Sequence, residues 1–351
     1  MELADEHPRV LLFEDILESD ILHRGFARSG RFRLLPTYLA AVLEAYARRL
    51  RYDAVLTWGE RLSLLYALLL RLTLSNTPHI ALMGWVSPPK KALVLRVVQS
   101  RIDQIITWSS LQRDIAIEHL QIPASKIALV PHPVDERFWR PVSCEADMIC
   151  AVGNQMRDYP TLIEAMRGLR IRCHIAARPR WQRRTRKVTT VEDLVGNEMP
   201  PNVTVGAMTA VELRALYARS RFVVIPLRPA DSDNGITTIL EAMAMGKAVI
   251  CSRAAGQVDA VREGTTGIYV APGDANALRD AIQYLWDNPA VAERMGAEGR
   301  RAVEATHTLD QFVDRVKRIV EEVIEQRRLL PTDGVAEVSG GPLLWRRRSR
   351  L

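Results

Sequence analysis

The sequence has little of several features that identify common classes of protein. Its four cysteines include no C-x-x-C pair, which argues against a zinc site and against a disulfide-rich secreted fold. The start of the chain, MELADEHPRV, is charged and lacks the apolar core of a signal peptide. The longest apolar run lies between Arg61 and Arg71, whereas a membrane span needs about 20 residues. We therefore expect a cytoplasmic location, with the inner membrane face as the alternative.

The composition that is present fits a globular α/β protein of two domains. A length of 351 residues suggests two domains of about 150 residues each, and 48 % apolar residues suffice for two cores. The net charge of +7 favours acidic partners, such as nucleotide phosphates, anionic lipid or nucleic acid. Short apolar strand patterns alternate with helical patterns along the chain, which predicts parallel sheets.

The stretch from residue 233 to residue 259 organises the rest of the chain. A polar loop ends at Gly235, an apolar helix follows, and Gly246 ends that helix because glycine takes a left-handed conformation without strain. The sequence AVIC at 248–251 then predicts a short buried strand. The predicted order is loop, helix, glycine and strand.

The amino terminus of this helix is a candidate phosphate-binding site, because its first N–H groups lack internal partners and carry the positive end of the helix dipole. The residues expected to bind a diphosphate are Asn234, Gly235, Ile236 and Thr237. Two carboxylates, Asp233 and Glu241, flank this candidate phosphate-binding site. Carboxylates accept hydrogen bonds from sugar hydroxyls, so a nucleotide-sugar is indicated rather than a bare nucleotide. The alternative is an ordinary helix that begins at an N-cap Asp.

The same stretch resembles the donor-site signature of the family 4 retaining glycosyltransferases of the GT-B fold, which are glycosyl transferases of group 1. That signature is an acidic pair, E-x7-E, leading into E-A-M-A-x-G-x-P-V-I, and this chain has D-x7-E followed by EAMAMGKAVI. Asp233 replaces the first Glu, Asn234 the usual aromatic residue, and Ala248 the Pro.

The resemblance implies two Rossmann-like domains that face each other across a cleft. It also implies transfer of a sugar from a nucleotide diphosphate sugar with retention of configuration. Asp233 and Glu241 would be the catalytic pair, with Asp233 binding the transferred sugar and Glu241 the ribose of the nucleotide. The resemblance implies no metal or other cofactor, and no protein nucleophile.

Two further segments carry the resemblance. Residues 130–141, VPHPVDERFWRP, are similar to the family hinge V-P-N-G-V-D-x-x-x-F-x-P. The loop after the predicted strand at 148–152 is similar to V-G-R-x-x-x-x-K-G, whose basic side chains hold the donor diphosphate. Arg157 takes the place of the family Lys, and an Arg there can bind phosphate through two N–H groups. The alternative is that Arg157 pairs with Asp158. Arg178 is a candidate for lining the nucleotide pocket.

The sequence indicates fewer specific residues for the part of the site that would bind the acceptor. Ligands of parallel sheets bind at the carboxyl ends of the strands, which makes Trp58, Glu60 and Trp85 candidates for the acceptor side. The family's glycine-rich loop after the first strand is absent, and so is its His after the third strand. His79 lies at the other end of that strand, and we interpret it as a packed residue. Two alternatives therefore stay open: a sugar-nucleotide epimerase of the same fold, and a non-catalytic subunit that only binds a nucleotide-sugar.

The expected division of the chain follows from these segments. We predict an acceptor-side domain over 1–142, a donor-side domain over 143–308, a helix over 309–330 that crosses back to the first domain, and a basic, disordered tail over 331–351. The expected partners are a nucleotide-sugar donor and a glycan or lipid-linked acceptor, with no nucleic acid. The tail contains Trp345 and four arginines, so peripheral contact with anionic lipid is an alternative to a solvated tail.

Overall fold

A computed structural model describes residues 10–12, 35–177, 180–182, 187–189 and 199–329. Arg178 and the tail at 331–351 lie outside these ranges, and the predictions made for them stay predictions. The described residues form two parallel sheets with helices packed against them, as an α/β fold requires.

The strands belong to two parallel sheets and one antiparallel hairpin. The first sheet contains β1 Val10–Leu12, β2 Ala54–Trp58, β3 His79–Leu82, β4 Gln104–Thr107 and β5 Ile127–Leu129. The second sheet contains β6 Met148–Val152, β7 Cys173–Ala176, β10 Val203–Gly206, β11 Ser220–Ile225, β12 Ala248–Ser252 and β13 Gly267–Val270. The hairpin pairs β8 Arg180–Gln182 with β9 Lys187–Thr189.

The helices alternate with these strands in the described part of the chain. Those that belong to the first half are α1 Thr37–Arg48, α2 Glu60–Leu72, α3 Pro89–Val98 and α4 Ser110–Glu118. The second half contains α5 Tyr159–Met166, α6 Ala210–Arg219, α7 Ile236–Ala244, α8 Ala275–Asp287, α9 Pro289–Thr306 and α10 Leu309–Leu329. None of the helices in the described ranges has the length and apolarity that crossing a membrane requires.

The first sheet has the order β1-β2-β3-β4-β5, in which each strand is added beside the preceding one. Because right-handed crossovers in a single direction put their helices on one face, α2, α3 and α4 share a face of the sheet. Their side chains, among them Leu64, Leu95 and Ala116, pack there with Met83 and Ile105 in one core cluster. The opposite face needs cover from elsewhere in the chain.

Helix α10 supplies that cover. Its residues Phe312, Val316 and Val320 pack in one cluster with Leu56 of β2 and Ile80 of β3. The end of α10 is held by an ion pair, since Arg327 Nε donates to Asp103 Oδ1 at 2.7 Å. The last helix of the described chain therefore completes the core of the first sheet.

The second sheet has the order β10-β7-β6-β11-β12-β13, which reverses direction between β6 and β11. Helices cover both faces, and each face has its own core cluster of buried residues. In such sheets, the loops after the two central strands diverge and leave a crevice at the carboxyl ends, where ligands bind. The loop after β6 spans 153–158 and the loop after β11 spans 226–235.

Two elements differ from the sequence-based expectation. Helix α9 was missed, although Pro289 in its first turn and buried Ala292, Met295, Gly296 and Val303 follow helical spacing. The hairpin of β8 and β9 was also missed, and it places Lys187 in a strand where a charged loop was predicted. Short strands with charged residues give no clear alternation, which explains the second omission.

Candidate active site

The candidate site lies where the second sheet reverses its order. The loops after β6 and β11 are joined there, because Asp158 N donates to Pro226 O and Arg228 N donates to Met156 O, both at 2.9 Å. Gly153 begins the first loop with φ at 104°, a conformation that favours glycine. These contacts fix the walls of the crevice relative to the strands.

The helix α7 begins at this crevice. Its N-cap, Gly235, has φ at 94°, and a Cβ there would lie 3.1 Å from Ile225 Cγ2, so only glycine fits without strain. The N–H of Ile236 donates to Asp233 O at 3.2 Å. The N–H groups of Thr237 and Thr238 have no hydrogen-bond partner within the described residues and remain able to bind an anion.

A second loop supports the one that precedes α7. Gln257 is 1 % exposed, and its Nε2 donates to Asp233 O and Asn234 O, both at 3.2 Å. Gly256 lies so close that a Cβ would meet Ser232 O at 2.3 Å. The backbone of residues 232–234 is therefore held in place by the loop that carries Gly256 and Gln257.

Arg157 lies beneath this loop rather than in the open crevice. Its side chain is 7 % exposed, and it donates to Val152 O at 2.8 Å, Gln155 O at 2.9 Å and Thr238 Oγ1 at 3.0 Å. Asp158 is not among these partners; its side chain accepts from Thr161 at 2.7 Å. The guanidinium thus ties the loop after β6 to α7 and brings one positive charge to the start of that helix.

Glu241 lies on α7 beside Tyr217 of α6, whose hydroxyl donates to Glu241 Oε2 at 3.0 Å. Burial raises the pKa of Glu241 to about 7, although the Tyr217 hydroxyl and the charge of Arg157 act in the opposite direction. Glu241 is partly exposed, so its other oxygen can accept a hydrogen bond from a ligand.

Asp233 lies at the end of the loop, and its environment involves both halves of the chain. Burial raises the pKa of Asp233 to about 6, the indole N–H of Trp108 lowers it, and the charges of Asp259 and Glu60 raise it. The indole approaches without reaching hydrogen-bonding geometry. Asp233 Oδ2 and Trp108 Nε1 are therefore both buried and without a hydrogen-bond partner among the described residues.

Trp108 is held by its own sheet. It follows β4, and its ring fills the space over Gly84, where a Cβ would lie 2.5 Å from the indole Cζ2. Its ring centroid lies 6.2 Å from that of Trp58 and 5.1 Å from that of His132. Trp58 also contacts Phe312 of α10 at 5.9 Å. Trp58 is 39 % exposed and forms the outer side of this aromatic group.

Three hydrogen bonds join the two halves across the crevice. Trp85 Nε1 donates to Asp231 Oδ1 at 2.9 Å, and Gln112 Nε2 donates to Asp231 O at 2.6 Å. At the other side, Ser110 N donates to Asp259 Oδ2 at 2.9 Å. The loop that precedes α7 is thus held against the first sheet, with Asp233 and Trp108 between these contacts.

Glu60 orders the loop that carries Trp85. Its Oε1 accepts from the N–H of Gly84 at 3.0 Å and of Trp85 at 2.8 Å, and its Oε2 pairs with Lys91 Nζ at 3.1 Å. Both carboxylate oxygens are therefore engaged within the protein. His79 is fully buried and bonded through Nε2 to Thr57 Oγ1 at 2.8 Å, which confirms that it is a packed residue.

Sequence reasoning missed several residues of this crevice, namely Trp108, Gln112, Asp231, Gln257 and Asp259. Trp108 ends a predicted strand, so its position at a carboxyl edge could have identified it. Gln112 and Asp231 are 119 residues apart, and no local pattern signals their contact. The predicted site residues Asp233, Asn234, Gly235, Ile236, Thr237 and Glu241 lie together along the start and one side of α7.

Residues 147–288 match the family model described as Glycosyl transferases group 1. Among curated proteins, O-antigen chain mannosyltransferase C of Escherichia coli is 25 % identical over 125 residues, which are 36 % of this chain and 34 % of that protein. Glycogen synthase of Mycobacterium tuberculosis is 27 % identical over 240 residues, which are 62 % of this chain and 54 % of that protein. The chain thus spans between about a third and about half of the length of these relatives.

Solved structures share the fold. Sucrose-phosphate synthase from Thermosynechococcus elongatus superimposes with a TM-score of 0.70 at 22 % identity, over 85 % of this chain and 80 % of that chain. The Anabaena HepE structure in complex with UDP-glucose gives a TM-score of 0.67 at 14 % identity, over 83 % of each chain. These similarities confirm the predicted fold class, two Rossmann-like domains in the GT-B arrangement. The predicted resemblance to glycosyl transferases group 1 is confirmed for residues 147–288.

Proposed function

Because residues 147–288 match the family model Glycosyl transferases group 1 and the chain has a GT-B fold, we propose that this chain is a glycosyltransferase. It transfers a sugar from a nucleotide diphosphate sugar to a hydroxyl of a glycan, lipid or small-molecule acceptor, with retention of configuration. The relatives' names support transfer of sugars, and the Anabaena structure with UDP-glucose makes UDP-sugars the first donors to test.

One observation carries the proposal. Asp233 Oδ2 and Trp108 Nε1 are an acceptor and a donor that lie buried between the two halves, near each other but outside hydrogen-bonding geometry, at the start of a helix whose Thr237 and Thr238 N–H groups are also unpaired within the described chain. Unpaired buried polar atoms are costly unless a ligand satisfies them. A sugar hydroxyl both donates and accepts, so it satisfies this pair, and the neighbouring helix terminus suits a diphosphate.

The roles that we propose for the remaining residues follow from where each residue lies in the site. The backbone at Asn234, Gly235 and Thr237 binds the diphosphate, and Arg157 adds positive charge from beneath while it positions α7. Glu241 binds the ribose of the nucleotide. Arg178, which lies outside the described residues, is proposed to line the nucleotide pocket on sequence grounds alone.

The chemistry proposed for this arrangement needs no metal or other cofactor. The bond between the anomeric carbon and the diphosphate breaks, a bond to the acceptor oxygen forms on the same face of the sugar, and the proton of the acceptor hydroxyl goes to the leaving diphosphate. Negative charge develops on the leaving diphosphate, where the N–H groups and the dipole of α7 stabilise it. Closure of the two domains through Asp231 and Asp259 would exclude water from the reacting sugar.

The two alternatives make different demands on the site. A sugar-nucleotide epimerase would interconvert a free nucleotide-sugar and would need no acceptor. A non-catalytic binding subunit would bind the donor without breaking it. The engagement of Arg157 by three protein oxygens is the observation that favours a binding subunit, because it leaves fewer N–H groups for the diphosphate. Contact with a membrane through a lipid-linked acceptor is part of the proposal for a transferase.

Thermal unfolding with UDP, GDP, ADP and their sugars tests the donor site. A ligand that binds only the folded state stabilises it by about 2.7 kcal/mol at a hundredfold excess over Kd. We expect one nucleotide to raise the midpoint of the wild type but not of Glu241→Gln, whose amide oxygen still accepts from Tyr217.

Tyr217→Phe is the complementary control, because it removes the hydrogen bond that Glu241→Gln retains and leaves the carboxylate in place. Its midpoint should still rise with the nucleotide. If no nucleotide shifts the wild type, or if Glu241→Gln responds as the wild type does, the donor-site assignment is wrong while the fold stands.

A further inference from the structure

A second surface of interest lies at the amino-terminal edge of the first sheet, at the opposite end of the strands from the crevice. Helices α2 and α3 end there, since they run back from the carboxyl edge to the start of the next strand. We call this surface the basal face and define it by six residues: Arg71, Leu72, Leu74, Arg96, Val97 and Lys126. Arg71 Nη1 donates to Ser100 Oγ at 3.2 Å, which joins the ends of α2 and α3.

Large apolar side chains of the basal face point into water. Leu72 is 72 % exposed, Leu74 is 76 % exposed and Val97 is 46 % exposed. Leu74 also has φ at 54°, a left-handed conformation that leucine adopts at a cost and that glycine usually occupies after a helix. Leu74 contributes little to the core at this exposure, so with Leu72 and Val97 it offers apolar surface for a contact outside the folded chain.

A basic pocket lies beside these side chains. Its volume is about 410 Å³, and its lining includes Arg71, Arg96 and Lys126 but, among the described residues, no carboxylate. Lys126 Nζ is held in position by Gln99 O at 3.0 Å and Ile102 O at 2.9 Å. Burial lowers the pKa of Lys126, the nearby charge of Asp103 raises it, and the charge of Arg327 lowers it. Three cations around one cavity whose lining, among the described residues, holds no carboxylate suit a phosphate group.

We propose that the basal face binds the surface of an anionic phospholipid bilayer. A headgroup phosphate enters the pocket between Arg71, Arg96 and Lys126, while Leu72, Leu74 and Val97 insert at the level of the acyl-chain boundary. Combined apolar insertion and basic charge is the pattern by which proteins lie on anionic membranes.

Other occupants fit this surface less well. A second copy of the chain in a symmetric contact would bring the three cations of the pocket against the same cations, with no carboxylate in the pocket lining to pair with them. A nucleic acid would contact the cations but would leave the exposed leucines in water. Of these three occupants, an anionic bilayer is the one that uses both features.

This proposal goes beyond the transfer reaction and does not rest on it. It also constrains the geometry, because the basal face and the crevice lie at opposite edges of one sheet. With about 3.3 Å per residue along a strand, the crevice would stand roughly 15 Å or more above the headgroups. An acceptor would then be a sugar that extends from the membrane rather than a group at its surface.

Vesicle co-sedimentation of the full chain tests the proposal. The wild type should bind vesicles of phosphatidylcholine and phosphatidylglycerol at 0.1 M salt and should not bind vesicles of phosphatidylcholine alone. Arg71→Gln with Arg96→Gln should lower the partition coefficient on the order of tenfold, given the usual contribution of a basic residue near an anionic surface. The triple variant Leu72→Ser, Leu74→Ser, Val97→Ser should lose binding by a similar factor.

Matched controls change the same residue types elsewhere. Val211→Ser with Val313→Ser removes exposed valines on α6 and α10, and Arg294→Gln with Arg318→Gln removes exposed arginines on α9 and α10. Both should bind as the wild type does. The proposal is overturned if the wild type does not bind anionic vesicles, or if the basal-face variants bind them as well as the controls do. It is also overturned if sedimentation velocity shows that the chain self-associates and that the basal-face variants abolish this self-association.

Discussion

The two halves of the molecule share an architecture of parallel strands and packed helices, but they contribute to the candidate site in different ways. The second sheet reverses its strand order between β6 and β11, and its crevice is built from the loop before α7 and the start of α7, with Arg157, 81 residues before Thr238, beneath them. The first sheet adds its strands in one direction, depends on α10 for one face, and presents aromatic rings and amides that reach across to Asp231 and Asp233. In the second half, residues 233–246 form a continuous segment that Arg157 and Gln257 support from elsewhere in the chain, whereas the facing side is assembled entirely from separate strand ends and loops.

The largest expected effect comes from the residue at which the halves meet. Asp233→Asn should lower the rate of sugar transfer or donor hydrolysis by about 100- to 1,000-fold, because an amide cannot accept a sugar hydroxyl as a carboxylate does. Steady-state kinetics measure this loss. Asp280→Asn, on the exposed side of α8, is the control and should be indistinguishable from the wild type.

The same substitution should raise stability at high pH. Burial raises the pKa of Asp233 to about 6, above its ordinary value of 3.8, so the stability that the group contributes at low pH is lost as the pH rises through about 6. Asn carries no such dependence, and the variant should be more stable at pH 8 by about 1 kcal/mol, allowing for the partial exposure of Asp233. Urea unfolding at pH 4 and pH 8 that gives equal differences would contradict the buried, ionised carboxylate.

How much of the candidate site could be predicted from sequence depends on whether its residues are consecutive in the chain or come from both halves. The residues that form the signature of the Asp233–Gly246 segment are consecutive. The loop, the helix and the glycine that ends the helix were therefore predicted at the positions where the structure has them. Trp108 and Gln112 act through partners in the other half, and only the packing of the two sheets brings them together. Helix α9 shows a third case: its Gly296 lies so close to α7 that a Cβ would meet Gly246 O at 2.0 Å, a steric requirement that no single-sequence pattern reveals.

Arg157→Met should destabilise the second half strongly. The substitution leaves Val152 O and Gln155 O without their donors in a buried site, at a cost of about 2–3 kcal/mol. Urea unfolding followed by circular dichroism measures the change. Thr238→Val removes one of the three partners and leaves the arginine, so it should cost about 1 kcal/mol or less. Equal effects of the two variants would mean that Arg157 is not the link between the loop and α7.

Gly84→Ala should disturb the first half by a smaller amount. The added Cβ would overlap the Trp108 ring at 2.5 Å, and moving that ring should cost about 1–2 kcal/mol. The Trp108 ring would be displaced on the side where we propose that the sugar binds. Affinity for the nucleotide alone should therefore stay unchanged, while the rate of donor turnover falls. Calorimetric titration with the nucleoside diphosphate checks the first part, and a weakened nucleotide Kd would show that the halves are not separable in this way.

Trp108→Phe should give the smallest effect. It keeps an aromatic ring over Gly84 but removes the indole N–H, so affinity for the nucleotide-sugar should fall by about fivefold, the worth of one neutral hydrogen bond. Affinity for the nucleoside diphosphate should not change, since we propose that this part of the ligand binds at α7. A parallel loss for both ligands would place the indole away from the sugar.

The central claim is that the two halves hold a donor sugar between Asp233 and Trp108 and break its bond to the diphosphate. Proton NMR of the wild type and of Asp233→Asn, incubated with each nucleotide-sugar and no acceptor, tests it most directly. The account predicts that the wild type releases sugar of the donor's own anomeric configuration and nucleoside diphosphate from one donor, and that Asp233→Asn does not. Donor that is bound yet stays intact, or that is converted into another nucleotide-sugar, would contradict it.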